Sequence, residues 1–330
     1  MTSSRDAPSR TLTWAHGCFE LQRLGGMLAP VVFRAPGRPD FAPMQVAPWA
    51  DEAGHENLPG LLQRLRGEWP CVPFGGTTPR TDLPAGWQAR EAGDSWGHGF
   101  ASNHAWQWLP SPDALTLAMA ITAPDGMHLT REVRADADTP ALDVTLRIEV
   151  AQACTLPVAL HPTLRLDAGR VTLDVPHAGE GLTYPVDPEP GFSRLAANRR
   201  FSDLHAVPRA DGSSADLTQF PQAVDSEELL LLQAVSGPVA LHYLDQGWSV
   251  AFDWGRSLLP DVMLWVSHRG RRHAPWNGRH LALGIEPVNG AFDLGRVATP
   301  PADHPLAGRG LHLAPGVPCV LRYRMQATLR

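Results

Sequence analysis

The chain lacks closely spaced cysteine pairs, an excess of basic residues and any apolar run of membrane length, and each absence removes a class of function. Its four cysteines, Cys18, Cys71, Cys154 and Cys319, are scattered over 330 residues with no CxxC pair. They read as reduced residues of a cytoplasmic protein, with disulfides among them left open. The balance of 28 basic against 34 acidic residues, a formal net charge of −6, disfavours a nucleic-acid partner, which normally demands a basic surplus. No segment approaches the roughly 18 apolar residues of a membrane helix. Met1 to Arg10 is polar and has no apolar stretch of a signal peptide, so residues 1–10 are expected to be flexible and the protein soluble. Neither HExxH nor GxSxG occurs, and His268, His273 and His280 have no metal-ligand spacing, so no metal, cofactor or serine nucleophile is expected. Helical signal is scarce as well. Leu58 to Arg66 suits one or two helical turns, and Ser226 to Leu231 another.

What the chain has in quantity is turn residues and alternation. Thirty glycines and 32 prolines are spread along the length and separate short apolar segments, the signature of many strands and turns. Leu142, Val144, Leu146, Ile148 and Val150 alternate with Asp143, Thr145, Arg147 and Glu149, a half-buried strand. Leu115 to Thr122 and Met127 to Arg134 flank the turn Ala123-Pro124-Asp125-Gly126 as a hairpin. Cys319 to Leu329 alternates in the same way. Further strands are expected near 229–235, 238–244, 248–254 and 261–267. The loop-rich stretch 184–222 reads as an excursion over the surface. The fold class is mainly β, a large antiparallel sandwich or barrel with few short helices, in one domain spanning 1–330.

Four segments can carry chemistry. In Leu281 to Gly290, Leu283 and Ile285 take one strand face, and Glu286 takes the other beside Ala282 and Gly284, which are too small to fill space. A carboxylate there, fixed by Pro287, suits a general base, although a surface glutamate at a strand end explains the same pattern. In Thr155 to Leu166, His161 leaves the apolar face with Thr163 and Arg165 and also precedes a proline, which interrupts the ladder. An exposed-face histidine is the alternative. In Ser95 to Trp106, His98 lies between glycines that allow close ligand approach, and Trp96, Trp106 and Trp108 offer indole faces for a sugar ring or for a core. Arg80, beyond Gly75-Gly76, offers a fork of donors to hydroxyls or an anion. The basic stretch 267–280 can attract a phosphorylated or carboxylated substrate, or serve as a solvated connection.

In order along the chain, Gly25-Gly26-Met27-Leu28, Gly75-Gly76 with Arg80, Gly97-His98-Gly99-Phe100-Ala101 with Trp106, His161-Pro162 and Ile285-Glu286-Pro287 resemble the ordered motifs of the aldose 1-epimerase (galactose mutarotase) superfamily. The resemblance runs from about residue 20 to the end. It implies a galactose mutarotase-like supersandwich that binds a monosaccharide or sugar derivative, as a monomer or homodimer, and interconverts sugar anomers without a cofactor. It casts Glu286 as base, His161 as acid, and His98 and Arg80 as residues that orient the sugar, with Trp106 beside them. The carboxylate that often contacts sugar in this family is assigned to Asp225. Thr163 stands where an aromatic is usual, and Ser102 where arginine is common, so the sugar is not specified. A non-catalytic carbohydrate-binding or sensing protein on the same fold is the alternative.

Overall fold

The computed structural model describes residues 6–177 and 179–330, and the expectation for residues 1–5 lies outside this range. Among the described residues two large antiparallel sheets face one another. The first runs in the order Gln219–Phe220, Val171–Asp174, Val239–Tyr243, Trp248–Trp254, Cys319–Leu329, Ala141–Glu149, His128–Ala135, Thr116–Thr122 and Gln107–Trp108. Its outer face is polar: Asp143 and Arg324 are paired across the ladder and ion-paired at 2.9 Å. Leu142, Val144, Leu146 and Ile148 point inward and are buried. One wet face and one dry face produce the strict alternation visible in the sequence.

The second sheet runs Arg200–Phe201, Gly181–Thr183, Ser226–Leu232, Asp261–His268, Leu281–Asn289, Val158–Leu160 and Pro70–Cys71, with Thr163–Arg165 also paired to Leu281–Asn289. Both of its faces are buried. Leu230, Leu232, Leu264, Leu283 and Ile285 join the core between the sheets. Leu229, Leu231, Met263, Trp265 and Val288 form a separate cluster on the far side, under the loops. Double burial gives near-continuous apolar runs, which periodicity cannot assign to strand or helix. For that reason Ser226–Leu232, expected in part as a helix, is a strand. The expected helix over Leu58 to Arg66 is reduced to a 3-10 turn at Gly60–Gln63, preceded by another at His55–Asn57.

Two boundaries also differ from expectation. Ser9 and Arg10 belong to the strand Ser9–Trp14, paired with Gly17–Gln22. The stretch 184–222 does not merely skirt the surface, because Leu204, Val207, Ala215, Leu217 and Phe220 enter the inter-sheet core and close one end of it. Among the described residues no helix is long and apolar enough to cross a membrane.

Candidate active site

The site begins with a coincidence of register. Ala159 pairs with Val288, and Thr163 with Gly284. Two residues on from Ala159 is His161, and two residues back from Val288 is Glu286. The two X-Pro dipeptides therefore face each other across one antiparallel ladder, with their side chains on the same face, where directly opposed residues sit closest. His161 Nε2 lies 3.2 Å from Glu286 Oε1. Gly284 makes this possible: a Cβ there would stand 2.6 Å from Oε1 of Glu286. The bare patch beside Glu286 is the space its carboxyl occupies.

Both groups are buried, His161 at 5% and Glu286 at 0% exposure. Trp69 stacks on the His161 ring with centroids 4.0 Å apart. The Thr163 hydroxyl lies 3.4 Å from the His161 carbonyl oxygen, to which it donates, and 3.2 Å from Nδ1. In the tautomer with the proton on Nδ1, the Thr163 hydroxyl accepts from Nδ1–H and the Nε2 lone pair is left toward Glu286. Burial holds the Glu286 carboxyl well above its usual range; Asp293 adds to this and Arg271 opposes it. Burial, then His98 and Arg271, pushes His161 well below the imidazole range. Burial therefore favours the uncharged form of each group, with Nε2 and Oε1 3.2 Å apart, and among the described residues neither carboxyl oxygen of Glu286 makes a hydrogen bond.

Above the pair opens a cavity of about 440 Å³, lined by Trp69, Trp96, His98, Trp265, Arg271 and Asp293 among others. His98 takes the left-handed conformation at φ 59°. Its N–H donates to the Gly75 carbonyl at 2.8 Å, which turns its ring to 5.5 Å from that of His161. The next residue has to be glycine, since a Cβ at Gly99 would lie 2.2 Å from the Val72 carbonyl oxygen. Among the described residues His98 Nδ1 is buried with no hydrogen-bond partner, and burial lowers its pKa to about 4. Asp293 accepts a 2.6 Å hydrogen bond from the Tyr184 hydroxyl. Its pKa is raised by burial, against the pull of Tyr184, Arg271 and Arg80.

No family model and no curated protein sequence matches the chain. Solved structures do. An Escherichia coli K12 protein provisionally named as an aldose 1-epimerase superposes with TM-score 0.64 at 14% identity, covering 98% of this chain and 99% of that one. The GalM/aldose epimerase homologue of C. elegans gives 0.63 at 12% identity, with 97% and 98% covered. A galactose mutarotase related enzyme of Lactobacillus acidophilus gives 0.60 at 14%, with 97% of both chains covered. The chain has the galactose mutarotase-like fold.

On this mutarotase-like frame, Glu286, His161 and His98 come together in one cavity, while the other three candidates lie elsewhere. Arg80 borders a neighbouring cavity, which shares Asp293 with the first, and its guanidinium is held by Asp82 at 2.8 and 2.6 Å. Asp225 pairs with Arg269 at 3.0 Å and Arg272 at 2.5 Å outside the cavity. Trp106 is wholly buried in the inter-sheet core; its Nε1 donates to Ala101 at 2.9 Å, and its ring packs where a Gly26 side chain would stand. The stretch 267–280 is not simply a solvated connection, since His268, Trp276 and His280 are buried and Arg271 enters the cavity. Sequence reasoning missed Asp293, Trp69, Trp265 and Glu227. Glu227 lies in the polar stretch Asp225 to Glu228, just before the four consecutive leucines of its strand, and no local pattern marks it as buried.

Proposed function

We propose that this chain is a cofactor-independent sugar mutarotase, with Glu286 and His161 as its acid–base pair. The observation that carries the reading is the in-register pair, 3.2 Å apart, on the floor of an aromatic-walled cavity of about 440 Å³, a volume in the range of small-molecule sites. Anomer interconversion needs one group to take the C1 hydroxyl proton and another to protonate the ring oxygen, and a pair that shares a single proton supplies both. Once the carboxyl proton has moved across from Glu286 to His161 Nε2, the Glu286 carboxylate removes the C1 hydroxyl proton. The C1–O5 bond breaks to give the open-chain aldehyde, and O5 takes the proton from His161. Rotation about C1–C2 and the reverse transfers close the ring with the other configuration. Trp69 and Thr163 hold the imidazole, while His98 and the walls orient the sugar.

Exchange NMR on free aldoses, uronic acids and sugar phosphates tests the reading. Catalysed exchange of at least one sugar is expected, and Glu286→Gln or His161→Asn should each reduce it by about 10²- to 10⁴-fold, the usual contribution of a general acid or base. Parent-level exchange in both variants would overturn the assignment. Sugar binding without catalysed exchange would instead make the chain a carbohydrate-binding protein on an enzyme's fold.

A further inference from the structure

The basic stretch before the Glu286 strand places one of its residues in the cavity, and that residue is not needed by the proton transfers. Arg271 borders the cavity with its side chain about a quarter exposed. Its guanidinium carbon lies 5.1 Å from the Trp265 ring centroid and 4.7 Å from that of Trp276. Its Nε is 2.8 Å from Oε1 of Glu227. Glu227 is fixed in turn by the Trp265 indole N–H at 2.6 Å and the Ser267 hydroxyl at 3.1 Å. Two aromatic faces and a buried carboxylate therefore hold the guanidinium by one edge. Among the described residues its two terminal nitrogens make no hydrogen bond to protein, and Arg271 is the only arginine or lysine lining this cavity.

The two indoles, with centroids 5.9 Å apart at 89°, screen the guanidinium from one side only, so its terminal donors stay open to a ligand, and an anion satisfies them better than a neutral hydroxyl does. The free edge has the planar fork that matches a carboxylate. Glu227 already offsets part of the charge, and among the described residues no second arginine or lysine lines the cavity, so a phosphate dianion would be less well compensated than a single carboxylate. Burial raises the pKa of Glu286, Asp293 and Glu227 alike, which lessens the repulsion that these acids offer a monoanion.

We infer that Arg271 reads a carboxylate on the sugar, so that the preferred ligand is a uronic acid rather than a neutral aldose or a sugar phosphate. This rests on the sugar-binding reading of the cavity. The catalytic arm of the test compares kcat/KM for anomer exchange of D-glucuronate, D-glucose and D-glucose 6-phosphate, repeated with the galacto series. The parent should prefer the uronate. In Arg271→Gln the uronate-to-aldose ratio should fall by about tenfold to a hundredfold, the scale of one lost charge-assisted bond. Preference for the neutral aldose or for the phosphate, or an unchanged ratio in the variant, would overturn the inference while leaving the mutarotase reading in place. If Arg271→Gln fails to fold, the parent's own ratio decides. The binding arm uses the methyl glycoside of glucuronic acid, which cannot anomerise, titrated by indole fluorescence. Binding that weakens by the same factor in the variant supports the inference even if no sugar is turned over, and absence of binding to the parent refutes it.

Discussion

Burial of Glu286 has a consequence for stability that no knowledge of the substrate is needed to test. Glu286→Gln keeps the side-chain shape and removes the titration. In the unfolded chain the carboxyl ionises near pH 4.3, whereas in the folded protein burial and Asp293 hold its pKa well above that. The unfolded state therefore releases its proton first. The stability attached to Glu286 is full below about pH 4.3 and is lost as pH rises toward the folded pKa, by up to about 1.4 kcal/mol per unit. His161 runs the other way: its folded pKa is depressed, so its contribution is full above about pH 6.5 and is lost as pH falls below it. Between those limits the two slopes oppose, and above about 6.5 only that of Glu286 remains. The stability of Glu286→Gln minus that of the parent should thus grow by up to about 2.7 kcal/mol between pH 6 and 8. Any cost of the amide's own unmade hydrogen bonds is a constant offset and does not affect this slope. Urea unfolding at pH 6, 7 and 8, with m-values checked for constancy, measures it. A pH-independent difference would refute the argument, because it would mean that Glu286 is already ionised in the fold. The variant should lose less stability than the parent as pH rises and be catalytically impaired, the trade expected where a site is built from a poorly solvated group.

Two further substitutions separate the site from its scaffold. Gly284→Ala places a methyl 2.6 Å from the unmoved Oε1 of Glu286 and 3.0 Å from the Trp265 Cβ; displacing the carboxyl should cut anomer exchange about a hundredfold, overpacking against Trp265 should cost about 1–3 kcal/mol in urea unfolding, and unchanged exchange would show that the position of Oε1 is not critical. Glu68 is fully buried between Arg131 and the Tyr323 hydroxyl, which donates to it at 2.8 Å. Glu68→Gln should cost about 3–5 kcal/mol by leaving the Arg131 guanidinium unpaired in the core, and adding Arg131→Met should restore much of it; equal stability of the single variant and the parent would show that the pair is dispensable.

How much was legible in the sequence depended on whether a residue's surroundings were local. Strands such as Ala141–Glu149 face water on one side, and their alternation could be read directly. Ser226–Leu232 is buried on both faces, so the same rule left helix and strand undecided. Glu286 and His161 could be singled out because small neighbours, a following proline and departure from an apolar face are all features of a few adjacent residues. Arg80 and Asp225 show the converse. Each is a charged group in a turn-rich stretch, but Asp82 lies two residues from Arg80 and takes its guanidinium, while Arg269 and Arg272 take Asp225. A nearby counter-charge settles such a side chain before any cavity does. Asp293, seven residues beyond Glu286 in a 3-10 turn, is set in the wall by Tyr184 from over a hundred residues away, and no local pattern announces that contact.

The two proline motifs also act as one. Pro162 and Pro287 have no N–H, so the ladder between the strands cannot run unbroken past them; the Ile285 N–H still donates to the Pro162 carbonyl at 2.8 Å. Regular pairing resumes on both sides in the same register, so the interruption neither adds nor removes a residue. That constraint is strict. One residue more or fewer between Ala159 and Thr163 would turn His161 or its neighbours to the other face, into the core beside Leu164 and Ile285. The imidazole and carboxyl stand opposed because the flanking pairs clamp the register, while the prolines between them withhold the backbone donors that would otherwise close the gap. The distance between the two groups is therefore a property of the sheet rather than of flexible loops, which is what a proton-sharing pair requires.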